Sequence, residues 1–449
     1  MRIGTTAIAV LAGFALIASA APALAVDPPQ VIVGTPADDP PGPELPTKQD
    51  KGCLATGVLK DSDLARTPPP ELALDLPKAR ALSRGAGVTV AVLDTGVTPN
   101  DRLPGLVGGG DYVTTGGDGL SDCDAHGTLI AGIIGAASDP TDGFTGVAPD
   151  AKIISIRYRS GAFSAERPNN DAAQNLSVDI RTLSRAIVHA ANLGAGVITV
   201  ALPVCVPVGL AVDQSILSVA IGYAVHVRGA LIVAGAGNAN AGCDQNPDID
   251  PTRPSDPRNW RDVKTVSAPG WFGADVLTVG FTTASGATMS DSLTGPWVSI
   301  GAPGTAIESL GPGGSGLING VGEPGKLVPV GGASFAAAYV SGVAALLRSR
   351  FPNETPAEIM ARLTASAHAP ARGIDNLIGA GVIDPLTALG YRTAPKPPIG
   401  LYRWSELVLP DPPRAKDGRP PFAAAVVIVA AVLLGLGATF ASSAIRRRR

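Results

Sequence analysis

The sequence predicts an α/β protein: a parallel sheet with helices on both faces, followed by one C-terminal helix long enough to cross a membrane. Three observations carry this reading. Short, continuous apolar runs rich in β-branched residues alternate with stretches of helical periodicity, as strands buried on both faces do. A second kind of apolar run, Phe422 to Ile445, has no charge in 24 residues. The composition of the 449 residues is 45% hydrophobic and only 16% charged, against ~25% charged in ordinary soluble domains. That supplies a large core and excludes a highly charged disordered chain. A net charge of −3 offers no basic field to a nucleic acid, and none is expected as a partner.

From the N-terminus, Met1-Arg2, a largely apolar stretch from Ile3 to Ala20 and the Ala23-Leu24-Ala25 site read as a signal peptide over residues 1–25. Residues 26–78 form an extension. Its first fifty residues, 26–75, hold ten prolines and nine acidic against four basic side chains. Such a segment has no core of its own and should lie extended over something else. The body, residues 79–394, carries strands at Val88–Leu93, Ile153–Ile156, Gly196–Val200, Ala230–Ala234 and Val276–Val279. Helices are expected over His126–Ile134, 179–193, 215–228 and 335–349; in the second, Ile180, Leu183, Ile187 and Ala190 recur at helical spacing. Residues 395–421 are again proline-rich and read as a semi-rigid stalk. The run 422–445 spans a hydrocarbon core at ~1.5 Å per residue. Arg446–Arg449 then form a tail on the cytoplasmic side, leaving the body outside, where disulfides persist.

In doubly covered parallel sheets, reactive groups gather at the carboxyl ends of the strands. Three segments fall there. Asp94 ends a strand in Val92-Leu93-Asp94-Thr95-Gly96. His126 opens a helix in Asp124-Ala125-His126-Gly127-Thr128. Ser334 follows a glycine turn and leads a helix in Gly331-Gly332-Ala333-Ser334-Phe335-Ala336. An acid, an imidazole and a hydroxyl are what nucleophilic acyl transfer requires: the imidazole takes the hydroxyl proton while the acid holds its tautomer. The helix start beneath Ser334 turns an amide and a positive dipole end toward a developing oxyanion. A fourth segment, Val233-Ala-Gly-Ala-Gly237-Asn238, ends an apolar strand with a side-chain amide able to complete an oxyanion hole.

These words, in this order, resemble the subtilase family of serine proteases over most of residues 79–394, and Ala302-Pro-Gly304 adds to the likeness. The resemblance implies a subtilisin-like fold, a triad of Asp94, His126 and Ser334, and Asn238 as oxyanion donor. The full layout of signal, proline-rich extension, body, proline-rich stalk and single span, together with Gly379-Ala-Gly-Val-Ile-Asp384-Pro385, resembles the mycosins. These are membrane-anchored proteases of type VII secretion systems, so the resemblance implies a protein or peptide substrate and a type VII secretion membrane complex as partner. Two positions and one segment depart from the subtilase pattern. Ala333 stands for the usual Thr before the serine, which removes a hydroxyl from the oxyanion surroundings. Ala338 stands for a Pro, and Val200-Ala-Leu-Pro203 replaces a Ser/Gly-rich substrate-pairing strand.

The remaining candidates read as structural. His189 and His226 lie in helical patterns and His368 in an Ala/Pro stretch, none beside an acidic or nucleophilic word. The glycines of 311–316 do not link a strand to a helix, so they form no phosphate loop. No Cys/His spacing suggests zinc, no carboxylate cluster suggests calcium, and no cofactor is assigned. Four cysteines allow three pairings. Cys205 and Cys243 each follow an apolar strand and could meet if those strands are neighbours, leaving Cys53 for Cys123. The mycosin resemblance favours the same pairing, which would strap the extension across the body and keep it attached. The function expected is a serine endopeptidase acting through an acyl-enzyme on Ser334. The rival is a scaffold whose protease body stabilises a secretion machine with cleavage secondary.

Overall fold

The computed structural model describes residues 26–239, 242–314, 316–371, 373–396 and 419–448. The expected signal peptide, most of the stalk and Arg449 lie outside the described residues. The chain divides into two units at about residue 398.

The first unit is built on a seven-stranded sheet. Its strands in chain order are β1 (Thr89–Asp94), β2 (Leu106–Asp111), β3 (Lys152–Arg157), β4 (Val197–Val200), β5 (Leu231–Gly235), β6 (Val276–Thr282) and β7 (Ile300–Pro303). Their spatial order is β7-β6-β5-β4-β1-β3-β2, and every pair is parallel. The five strands expected from sequence are the five inner ones. The edges β2 and β7 escaped because Leu-Val-Gly-Gly-Gly-Asp and Ile-Gly-Ala-Pro combine weak strand formers with a chain-breaking proline. β2 is half exposed, as an edge permits.

Four helices matter for the site and its surroundings: α1 (His126–Gly135), α2 (Ala172–Asn192), α3 (Ser215–Gly222) and α4 (Ala333–Arg350). α2 starts seven residues before the expected stretch. Asp171 caps it by accepting from Gln174 N, and no residue of its first two turns is buried, so apolar periodicity strengthens only from Ile180, where it packs. α3 passes into a wider π-turn over Tyr223–Val227. α4 is buried on every side from Ala333 to Leu347. Such a helix runs through a core rather than along a surface, and the Ala338 substitution sits in it without exposure.

The extension lies along the body, as its composition implied. Arg181, Arg185 and His189 recur every four residues on α2. They meet Glu44 at 3.2 and 3.0 Å and Asp38 at 3.0 Å, while Arg185 also donates to the carbonyls of Pro40 and Gly42. Thr47–Gln49 pairs with Phe163–Ala165, and Ala55–Gly57 pairs with Gly320–Gly322. The boundary placed at 78/79 falls inside a helix, Leu76–Leu82, with Leu76 and Ala79 buried. Disulfides join Cys53 to Cys123 and Cys205 to Cys243. The second pair follows from β4 and β5 being neighbours.

Among its described residues, the second unit contains one helix, Arg419–Arg446. Its stretch Ala423–Arg446, 24 residues of mean hydropathy 2.5, is long and apolar enough to cross a membrane.

Candidate active site

Asp94 is the last residue of β1 and is fully buried. Its Oδ1 accepts from the Thr95 amide at 2.7 Å and faces His126 Nδ1 at 2.7 Å. His126 is the first residue of α1, and its Nε2 lies 2.8 Å from Ser334 Oγ. Ser334 is the second residue of α4. Three residues separated by up to 240 positions thus form one hydrogen-bonded line, the geometry in which an imidazole takes a hydroxyl proton.

Electrostatics favour that role. Burial alone would lower the pKa of His126. The charge and hydrogen bond of Asp94, joined by Asp122 and Asp124, outweigh it and raise the pKa above the usual histidine value. The imidazolium formed when Ser334 loses its proton is therefore stabilised where it forms.

Asn238 follows the end of β5, and its Oδ1 accepts from the Ala333 amide at 2.9 Å. That bond fixes the amide's orientation and leaves its Nδ2 free to donate beside Ser334. Gly332 is required here: its φ is 135°, and a Cβ would lie 2.7 Å from Asn238 Nδ2. The first-turn amides of α4, which have no intrahelical acceptor, add donors on the same side.

Residues that the sequence did not single out hold Asp94 and His126 in place. Asp122 is buried; it accepts from the Thr95 hydroxyl at 2.8 Å and from the Thr128 amide and hydroxyl at 2.9 and 2.7 Å. Thr95 Oγ1 in turn accepts from the Gly127 amide at 2.9 Å. This network ties the end of β1 to the start of α1, and burial pushes the Asp122 carboxyl up to about 6. Gly127 has no room for a side chain, since a Cβ would meet the Gly96 carbonyl at 2.0 Å. Asp122 stands four residues before His126 outside regular structure, where spacing alone carries no signal.

A cleft of about 380 Å³ opens on His126, with Arg159, Leu202 and Phe335 among its walls. The Tyr158 hydroxyl donates to the Leu202 carbonyl, which braces the rim where Pro203 interrupts the chain between β4 and the next strand, Val204–Pro207. The other histidines stay outside the triad. His189 pairs with Asp38, His226 with Asp275 at 2.6 Å and His368 with Asp384 at 3.5 Å. Their acids come from distant sequence, so no neighbouring word announced them. Cys123, three residues before His126, is consumed by its disulfide. The strands flanking the glycine-rich stretch, Ser309–Leu310 and Leu317–Ile318, pair antiparallel, and no helix follows as a phosphate loop requires.

Residues 85–381 match the subtilase family, Peptidase_S8. Mycosin-1 of Mycolicibacterium smegmatis is 45% identical over 99% of this chain and 99% of its own. The crystal structure of MycP1 from Mycobacterium smegmatis has a TM-score of 0.81 at 45% identity, covering 85% of this chain and all of that one. A chain in the structure of an intact ESX-5 inner membrane complex has a TM-score of 0.78 at 44% identity, covering 93% of this chain and all of its own. The family match over residues 85–381 and the near-full-length likeness to Mycosin-1 show that the chain is a serine endopeptidase that belongs to the subtilase family and, within it, to the mycosins.

Proposed function

We propose that this protein hydrolyses peptide bonds through an acyl-enzyme on Ser334, with Asp94, His126 and Asn238 in the roles their geometry suits. The observation that carries the reading is the unbroken line Asp94 Oδ1–His126 Nδ1 and His126 Nε2–Ser334 Oγ, at 2.7 and 2.8 Å. His126 accepts the Ser334 proton as Oγ attacks the substrate carbonyl. Asn238 Nδ2 and a first-turn amide of α4 hold the oxyanion. The imidazolium then protonates the departing amine, and water, deprotonated by the same ring, releases the acyl group. A scaffold role alone would not call for a hydroxyl, imidazole and buried carboxylate held at hydrogen-bond distance, so the enzymatic reading is preferred.

The same reading assigns residues 79–394 to catalysis and residues 26–78 to a strap retained through Cys53–Cys123. Residues 395–421 become the stalk, 422–445 the membrane crossing and 446–449 the cytoplasmic tail, with the body on the opposite side of the membrane. The mycosin-like chain in the ESX-5 inner membrane complex supports a type VII secretion membrane complex as partner. The test of the chemistry is Asn238→Ala, assayed for peptide hydrolysis by the full-length chain. Turnover should fall on the order of 10²- to 10³-fold with the Michaelis constant unchanged. A loss confined to the Michaelis constant would make Asn238 a binding residue and contradict the assignment.

A further inference from the structure

We propose that Leu54, a residue of the N-terminal extension, is a specificity-determining residue of the cleft: it forms one wall of a subsite for an aliphatic side chain of the substrate. Cys53, immediately before it, is bonded to Cys123, and the Leu54 amide donates to the Cys123 carbonyl at 2.9 Å. Immediately after it, Ala55–Gly57 pairs with Gly320–Gly322. Leu54 is therefore fixed at both ends, beside a loop that reaches His126 three residues later. Its side chain lines the same cleft as His126, together with Val321, Pro329 and Val330.

A leucine whose only task was to anchor the extension would be buried. Leu54 is instead 44% exposed. Single exposed leucines are ordinary on protein surfaces. This one is distinguished by its place, in a concave site shared with the reactive imidazole and faced by three other apolar side chains. Arg159 and Asp124 line the same cleft, so its lining mixes apolar and charged side chains. An aliphatic substrate side chain placed against Leu54, Val321 and Val330 completes a burial that the free enzyme leaves unfinished. The extension then takes part in choosing the substrate as well as bracing the fold.

The inference rests on Ser334 being the nucleophile, and the experiment separates the two. The full-length chain, solubilised with its membrane helix, is given a peptide mixture randomised at every position, and selectivity is read at each position around the cut. In parallel, Ser334 is labelled with a small fluorophosphonate that carries no peptide. The wild type should favour Leu, Ile or Val at one position. Leu54→Ala should flatten that preference on the order of tenfold, the scale set by missing methylenes in an apolar pocket. Leu54→Glu should turn it toward Lys or Arg at the same position. Leu72→Glu, which places the same charge on a 61% exposed residue of the helix Pro69–Ala73, should keep the wild-type profile. All variants should label like the wild type. Normal labelling with an unchanged profile in Leu54→Ala and Leu54→Glu overturns the role of Leu54 alone. No labelling of the wild type overturns both the nucleophile and the subsite.

Discussion

Gly332→Ala perturbs Asn238, the proposed oxyanion donor, without altering it. The added Cβ would stand 2.7 Å from Nδ2 and 2.9 Å from Oδ1 of Asn238, closer than such contacts occur, so the amide must move. The backbone there, at φ 135° and ψ −178°, lies in a region essentially reserved for glycine, where a side chain costs on the order of 1–3 kcal/mol. Two effects should therefore appear together. The melting temperature should fall by several degrees. Turnover should fall on the order of 10²- to 10³-fold, the cost of one lost oxyanion donor, about 2.7–4 kcal/mol, with little change in the Michaelis constant. A cycle with Asn238→Ala isolates the cause. Once Asn238 has lost its amide, Gly332→Ala has little left to displace, so the double variant should be scarcely slower than Asn238→Ala alone. Two losses that multiply independently, or a Gly332→Ala enzyme with unchanged turnover, would refute the reasoning.

Three further outcomes are expected. Because Asp94, Asp122 and Asp124 raise the His126 pKa above the ordinary 6.5, the acidic limb of kcat/KM should lie above that value, with activity lost as pH falls through it. Asp124→Asn removes one raising charge, so that limb should move to lower pH; a pH profile that stays fixed would contradict the assignment. Asp122→Asn replaces one acceptor oxygen with an NH2 donor that must face a donor from Thr95 or Thr128, costing roughly 1–3 kcal/mol of stability, and should lower kcat tenfold or more with KM unchanged. Replacing Cys53 and Cys123 together by Ser opens a loop of sequence separation 70, worth about 4 kcal/mol in the chain-entropy account; thermal melts should show that loss, and an unchanged melting temperature would show that the strap adds nothing.

The inner strands and the site words were legible because each was local. Five apolar runs marked five central strands, and Asp94, His126, Asn238 and Ser334 stood at strand ends and helix starts where sequence order alone predicts chemistry. What escaped depends on contacts between distant residues. Edge strands β2 and β7 are set by neighbours rather than by their own sequences, rich in glycine in β2 and ended by a proline in β7. Asp122 and Thr95 acquire meaning only once β1 and α1 are brought together. Asp38 and Glu44 find His189, Arg181 and Arg185 across more than 130 residues of chain, so the docking of the extension could be expected from composition but its contacts could not. The backbone support of Asn238 by Ala333 was likewise invisible, because a main-chain amide leaves no trace in the identity of its residue.

The central claim is that Ser334 is an activated nucleophile, and covalent labelling tests it most directly because it needs a working triad but no knowledge of substrate. The full-length protein and Ser334→Ala are treated side by side with a fluorophosphonate, and the labelled residue is mapped by peptide mass. The account predicts rapid labelling at Ser334, slowed by orders of magnitude in Asp94→Asn, which leaves His126 without its orienting carboxylate, and absent in Ser334→Ala. Equal labelling of the wild type and Ser334→Ala, or none in either, would contradict it.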